Sequence, residues 1–118
     1  MPSSFFSSPG QLAVDIRLEN STAPHSGRVG IRYGNTWGTL CNKGLDTNDA
    51  KVICRMLGYV GVTHVYTIPG NGTIWLSDLE CNGKEDSIVD CSHSGWWQTS
   101  HCTHDQDAAV TCKLGKVF

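Results

Sequence analysis

The sequence predicts a small α+β domain in which several short strands surround one helix and disulfide bonds staple the chain. Three observations indicate this: segments in which apolar and polar residues alternate, one segment of helical periodicity, and an even number of cysteines. The chain has 118 residues, the length of one domain, and six of them are cysteines. A domain of this size buries only a modest core, so covalent cross-links contribute strongly to its stability.

Alternation predicts the first two strands. Apolar residues at 14, 16 and 18 are interleaved with polar ones, and the pattern repeats with apolar residues at 29, 31 and 33. Arg28 and Arg32 have the opposite parity in the second strand and are therefore expected on its solvent-facing, outer side. Gly34-Asn35 predicts a turn, and residues 37–40 are predicted as the return strand of a hairpin.

The helix is predicted between Asp46 and Gly58. Residues 50, 53, 54 and 57 share one face at a 3.6-residue period, acidic residues at the start offer caps, and Gly58 is typical of a helix end. Further strands are predicted at residues 62–68 and 73–76, the latter as a returning strand, and at 108–111. A turn of helix is predicted near residues 88–89, between Cys81 and Cys91.

The predicted domain extends over residues 14–113. Residues 1–13 lack the basic and apolar regions of a signal peptide and are interpreted as a flexible linker or a remnant of expression, and residues 114–118 as a tail. No stretch has the roughly 20 apolar residues that span a bilayer, so no membrane insertion of this chain is expected. The cysteines and the glycosylation sequons at Asn20 and Asn71 predict an extracellular glycoprotein, either secreted or the ectodomain of a membrane protein.

Several local motifs follow one another from residue 14 to residue 112. They are Ser26-Gly27-Arg28-Val29, Trp37-Gly38-Thr39-Leu40-Cys41, the helical segment 49–58, Ile74-Trp75-Leu76, Cys81-Asn82-Gly83-Lys84-Glu85, Cys91-Ser92, and His104 with Asp107-Ala108-Ala109-Val110-Thr111-Cys112. In order and spacing they resemble the scavenger receptor cysteine-rich family. The chain is similar to its six-cysteine group, because His25 and Tyr59 occupy the positions of the two further cysteines of the eight-cysteine group.

The resemblance implies a curved antiparallel sheet of about six strands that cradles the one helix. It also implies a disulfide pairing, whereas the residues alone leave 15 connectivities open. The implied bonds are Cys41–Cys102, Cys54–Cys112 and Cys81–Cys91.

The resemblance further implies two cation sites. The first family site needs three acidic residues, but the corresponding positions here are Asn42, Lys43 and Gln106, so this site is expected to be lost. An ammonium group at residue 43 stands where calcium would need carboxylate oxygens. No cofactor is therefore expected to be required.

The second implied site retains some ligands. Its positions carry Asp49, Asp78 and His101, which offer two carboxylates and an imidazole for a weakly bound divalent cation, with the imidazole favouring transition metals over calcium. The alternative interpretation is that Asp49 only caps the helix and Asp78 lies in a turn.

The candidate ligand contacts are basic and aromatic. Arg28, Arg32 and Lys43 are expected to bind a polyanion, and the alternative is a solvated polar face. Of the adjacent tryptophans, Trp96 is interpreted as structural because the family usually has one tryptophan there, and Trp97 as a candidate contact anchor.

These residues predict an extracellular recognition domain that binds polyanionic or microbial surface ligands. The alternative is a module for protein–protein adhesion or docking within a larger receptor or secreted protein. The formal net charge of −2 argues against nucleic acid as the natural ligand. No nucleophile motif and no phosphate-binding glycine loop are present, so catalysis is not expected. The sequence leaves the oligomeric state open.

Overall fold

The computed structural model describes residues 14–93 and 102–115. These residues contain six strands and one α-helix. The strands are β1 (Val14–Glu19), β2 (Ser26–Tyr33), β3 (Thr36–Leu40), β4 (Gly61–Thr67), β5 (Thr73–Leu76) and β6 (Ala108–Lys113), and the helix is α1 (Thr47–Met56). Short 3₁₀ turns lie at Ile88–Asp90 and His104–Gln106.

Strand β2 is the centre of a single sheet. Strand β1 pairs antiparallel with β2 and places Ile16 opposite Ile31 and Leu18 opposite Val29. The other edge of β2 is shared, since β3 pairs with its second half and β6 with its first residues. Beyond these two strands the sheet continues to β5 and β4 respectively.

The predicted α+β fold with six strands around one helix is confirmed, with one difference in the sheet. The sheet is mixed rather than antiparallel, because β5 runs parallel to β3. Strand β5 does not return along β4, which pairs with β6 instead. Parallel neighbours need a long crossover, and α1 together with β4 supplies it between β3 and β5.

Helix α1 has a defined beginning and end. The N-cap Asp46 accepts a hydrogen bond from the backbone N of Asp49 at 3.1 Å, and the Asp49 carboxylate accepts one from the backbone N of Asp46 at 2.8 Å. This reciprocal capping box satisfies backbone donors that the helix leaves free. After the C-cap Leu57, Gly58 has φ of 89°, a left-handed conformation that glycine adopts at little cost.

The core lies between α1 and the inner face of the sheet, where the helix packs against β4 and β6. Its fully buried residues include Val29, Ile31, Leu40, Ile53, Leu76 and Val110. Apolar residues at 14, 16 and 18 of β1 are partly buried and pack against the same cluster. In the part of the chain that is described, no helix is long and apolar enough to cross a membrane.

All six cysteines form disulfide bonds, and the pairs are the ones that the family resemblance implies. Cys54–Cys112 joins the helix to β6, and Cys41–Cys102 joins the end of β3 to the segment before β6. These two bonds span 58 and 61 residues of sequence, whereas Cys81–Cys91 closes a loop with a separation of 10.

Candidate ligand-binding face

The outer face of β1, β2 and β3 carries a compact group of charged and aromatic side chains. We call it the arginine–tryptophan face, and it consists of Asp15, Arg17, Glu19, Arg28, Arg32 and Trp37. The antiparallel register places Asp15 opposite Arg32 and Glu19 opposite Arg28. Arg32 is in turn opposite Trp37 on β3. Because side chains of a strand alternate between faces, these residues lie on the side away from the core.

Opposite charges are paired across this face. The Asp15 carboxylate accepts from the guanidinium of Arg32, and the Glu19 carboxylate accepts from Arg17 and from Nη2 of Arg28, the latter at 3.3 Å. The face therefore has three guanidinium groups and two carboxylates, a net charge of +1.

Trp37 lies between two of the arginines. The guanidinium carbon of Arg17 is 3.8 Å from the centre of the indole ring, and that of Arg32 is 5.8 Å from it. Both distances are within the range of cation–π attraction. The half-buried indole and the two exposed guanidinium groups form one continuous surface.

Arg28 is on the predicted face but is more enclosed than its parity predicts. The loop of residues 69–72 folds over it, and Nη1 of Arg28 donates to the carbonyl O of Pro69 at 3.0 Å. As a result its side chain is only 16% exposed. Arg28 thus supports the loop as well as contributing charge to the face.

A pocket of about 200 Å³ opens on this face. Its lining residues are Arg17, Glu19, Arg28, Trp37, Gly38, Thr39 and Asn71. Strands β1, β2 and β3 supply six of them, and the loop between β4 and β5 supplies Asn71. The pocket is large enough for a small anionic group, and arginines from two strands line it together with Glu19.

A buried polar network lies beneath the pocket. Asp107 is fully buried; its Oδ1 accepts from Oγ1 of Thr39 at 2.9 Å, and its Oδ2 is 2.7 Å from Nδ1 of His104. Nε2 of His104 is 2.9 Å from the carbonyl O of Gly72. Since both partners of the imidazole are acceptors, both contacts are hydrogen bonds only when the ring is protonated. The hydrogen bond to Asp107 accordingly raises the pKa of His104, with a smaller contribution from Gly72 and with burial acting in the opposite direction.

The positions of the first family cation site are close in space. The backbone N of Asn42 donates to the carbonyl O of Gln106 at 2.7 Å, so the loop after β3 lies against the 3₁₀ turn before β6. Lys43 is exposed on that loop, and its carbonyl O accepts from the backbone N of Asp78 at 3.2 Å. The expected loss of this site stays a prediction.

Of the second cation site, Asp49 and Asp78 are described, and His101 lies outside the described residues. Asp49 is fully buried, and its Oδ1 accepts from the backbone N of Cys81 at 2.6 Å, in addition to the capping bond of Oδ2. Burial raises the pKa of Asp49 to about 6. The Oδ2 contact belongs to the helix cap, and the Oδ1 contact joins the start of the helix to the segment of Cys81. Asp78 has φ of 53°, and a cation at this position remains a prediction.

Among the described residues, one cluster groups three potential metal-ligand atoms, from Cys81, Glu85 and Cys91. Its two sulfurs form a disulfide bond, and the Glu85 carboxylate accepts from the backbone N of Asn82 at 2.9 Å. This hydrogen bond lowers the pKa of Glu85, with smaller contributions from the backbone N of Gly83 and of Lys84. The cluster is therefore a structural loop rather than a metal site.

Trp96 and Trp97 also lie outside the described residues, so their predicted roles stay predictions. Sequence reasoning missed Arg17, Trp37 and the two carboxylates of the face. Part of the signal was present in the two alternating segments, and the observed register of β1 against β2 then places Asp15 and Glu19 beside Arg32 and Arg28.

A small mixed-sheet domain with three disulfide bonds is typical of an extracellular module. The family model "Scavenger receptor cysteine-rich domain", abbreviated SRCR, matches residues 19–113, and the chain belongs to this family. It is 43% identical over 102 residues to galectin-3-binding protein of Rattus norvegicus, covering 83% of this chain and 18% of that protein. It is 41% identical over 99 residues to the macrophage receptor MARCO of Mesocricetus auratus, covering 84% of this chain and 20% of the receptor. The chain thus spans about a fifth of these relatives.

Among solved structures, the SRCR domain of mouse MARCO, determined in a dimeric form, superimposes with a TM-score of 0.71 at 40% identity. That match covers 82% of this chain and 93% of the MARCO chain. The third SRCR domain of murine neurotrypsin superimposes with a TM-score of 0.76 at 33% identity and covers 88% of this chain and all of that domain. SRCR domains are generally non-enzymatic receptor modules, although lysyl oxidase homolog 3 of Homo sapiens also matches this chain, at 44% identity over 94 residues.

Proposed function

We propose that this domain recognises polyanionic or microbial surface ligands through the arginine–tryptophan face, without catalysing a reaction. The observation that carries the proposal is the cluster of Arg17, Arg28 and Arg32 around Trp37, on the outer side of the sheet. Guanidinium groups form bidentate, charge-assisted hydrogen bonds with sulfate, phosphate and carboxylate groups. The carboxylates of the face position the arginines and leave a surplus of positive charge.

Lys43 is proposed as a second contact. It is exposed on the loop where the family site would hold a cation, so a fixed ammonium group takes the place of bound calcium. Ligand binding by this domain is then independent of calcium.

The experiment is binding of the folded domain to immobilised dextran sulfate across a salt series, with calcium or with a chelator. We expect binding to weaken steeply with salt, because exposed charges are screened within about 10 Å at 0.1 M. We also expect the chelator to leave binding unchanged. Arg32→Ala and Lys43→Glu should each weaken binding, whereas Lys51→Ala, an exposed change on α1, should not. Binding that requires calcium, or that is equally affected by Lys51→Ala, would contradict the proposal.

The second candidate function is docking of a protein partner. The alternation of Asp15, Glu19 and the three arginines favours it, since a mixed-charge surface around an indole suits a protein of complementary charge pattern. Binding to dextran sulfate would then be absent at every salt concentration. Trp37→Ala and Trp97→Ala would identify which tryptophan anchors the protein partner.

A further inference from the structure

Asn71 connects a modification signal to the pocket. It is the first residue of the sequon Asn71-Gly72-Thr73, it is exposed, and it lines the same pocket as Arg17, Arg28 and Trp37. A group attached to its side-chain amide would start at the rim of the arginine–tryptophan face.

The loop that holds Asn71 is fixed on both sides of this residue. On one side, Arg28 donates to the carbonyl O of Pro69 at 3.0 Å, and on the other, His104 contacts the carbonyl O of Gly72 at 2.9 Å. The loop also packs tightly onto the sheet, because a Cβ at Gly70 would lie 2.7 Å from Oδ2 of Asp107 and 2.9 Å from Nε of Arg28. An attached group therefore begins from a defined position rather than from a freely moving loop.

We propose that an N-linked glycan on Asn71 covers the pocket and controls the access of large ligands to the arginine–tryptophan face. The inference rests on the proposed function, since it names a regulation of that face. A glycan is bulky and hydrated, so its core hinders the approach of other molecules to Arg17 and Trp37, an extended polymer most strongly. Cells that differ in occupancy at Asn71 would then secrete forms of one domain with different affinities.

Asn20 provides a matched control within the chain. It begins the other sequon, it is exposed, and it follows β1, but it is not among the residues that line the pocket. A glycan on Asn20 should therefore leave access to the pocket unchanged.

The first arm of the test uses the domain secreted from mammalian cells, as wild type, Asn71→Gln and Asn20→Gln. Peptide masses after N-glycosidase treatment report occupancy, and binding is measured on immobilised dextran sulfate. We expect Asn71 to be occupied, Asn71→Gln to bind about tenfold more tightly than wild type, and Asn20→Gln to stay within about twofold. An unoccupied Asn71, or an equal gain from both variants, would overturn the proposal.

The second arm separates this proposal from the proposed function. Phenylglyoxal modifies accessible arginines, and peptide mapping gives its rate at Arg17, with Arg55 on α1 as an internal reference. We expect Arg17 to react several-fold faster in Asn71→Gln than in the wild type, and Arg55 to react equally in both. If no form binds dextran sulfate, the proposed function fails. A lower rate of phenylglyoxal modification at Arg17 in the wild type than in Asn71→Gln would still support a glycan that covers the pocket. Equal modification rates at Arg17 in the wild type and in Asn71→Gln would show that the glycan does not cover the pocket.

Discussion

The chain before Cys41 and the chain from Cys41 onward are stabilised by different means. Strands β1 to β3 contain no cysteine and are held by backbone pairing, apolar contacts and cross-strand ion pairs. The later part contains all six cysteines, the helix and the loops around it. The arginine–tryptophan face lies wholly in the first part, whereas the second part supplies Asn71 and, in the buried network beneath the pocket, Asp107 and His104.

The difference shows how a small domain can divide its tasks. Exposed ion pairs are weak, so their residues can change with little loss of stability. The disulfide bonds restrict the unfolded chain and stabilise the domain independently of the surface. The arginine–tryptophan face is thus free to vary while the covalent framework preserves the fold.

The largest expected effect comes from the bond between α1 and β6. Replacing Cys54 and Cys112 together by Ala should lower the free energy of unfolding by about 4 kcal/mol, because the bond closes a loop with a separation of 58. Urea unfolding followed by circular dichroism measures the change. The pair Cys81→Ala and Cys91→Ala, with a separation of only 10, should cost less. An equal loss in the two double variants would contradict the loop-length argument.

The next effect tests the packing of the cysteine-free part against β5. A Cβ at Gly38 would lie 2.5 Å from Cδ1 of Trp75 and 2.6 Å from the carbonyl O of Thr73, so Gly38→Ala must displace β5. We expect a loss of about 2 to 3 kcal/mol in unfolding free energy. Gly61→Ala is the control, since its Cβ would meet only Lys113 at 3.8 Å or more. A Gly38→Ala protein as stable as Gly61→Ala would show that β3 and β5 are loosely joined.

A smaller effect depends on pH and concerns the network that supports the Asn71 loop. The folded protein raises the pKa of His104 above its ordinary 6.5, so the protonated ring stabilises the fold. This stabilisation is complete below the unfolded pKa and is lost as pH rises through the folded pKa. As pH rises above the ordinary pKa of 6.5, the wild type should lose unfolding free energy relative to His104→Gln, by no more than about 1 kcal/mol.

Urea titrations of both proteins at each pH measure that difference. The raised pKa of Asp49 acts in the same direction, but between its ordinary 3.8 and about 6, and it is present in both proteins. Parallel pH curves for wild type and His104→Gln would show that the His104 contacts do not depend on protonation.

The smallest effect on stability is expected at the exposed pair of Asp15 and Arg32. Asp15→Asn should change the free energy of unfolding by less than about 1 kcal/mol. It removes a negative charge from the arginine–tryptophan face, so it should strengthen dextran sulfate binding by about threefold at low salt, with no gain at high salt. A gain in affinity that persists at high salt would show that the substitution acts through a contact that is not electrostatic.

Local patterns in the sequence predicted most of the fold. The alternation at residues 14–18 and 29–33 predicted β1 and β2, and the periodicity between Asp46 and Gly58 predicted α1. The parallel pairing of β5 with β3 was not predictable from these patterns. Strand partners far apart in sequence are chosen by packing, and a four-residue apolar strand such as β5 has no local pattern that indicates its neighbour.

The site was predicted less completely than the fold. Parity placed Arg28 and Arg32 on the outer face, but the cover over Arg28 depends on a loop that is 41 residues away in sequence. The pairing of Glu19 with Arg28 needed the register of β1 against β2, which alternation alone does not fix to one residue pair. The network joins two segments, the turn with His104 and Asp107 before β6 and Thr39 on β3, and no local pattern signals the contact between Asp107 and Thr39.

The placement of the disulfide bonds has a mechanical consequence. Tension applied to the two ends of the folded chain would run through the Cys41–Cys102 bond and bypass the polypeptide between these residues. Strands β1 to β3 lie outside every covalent loop and stand directly in the load path. Pulling would therefore separate strands β1 to β3, which carry the arginine–tryptophan face, while the Cys41–Cys102 bond keeps residues 41–102 from extending. Force on such a domain would disrupt the proposed ligand-binding face well before the chain reaches its full length.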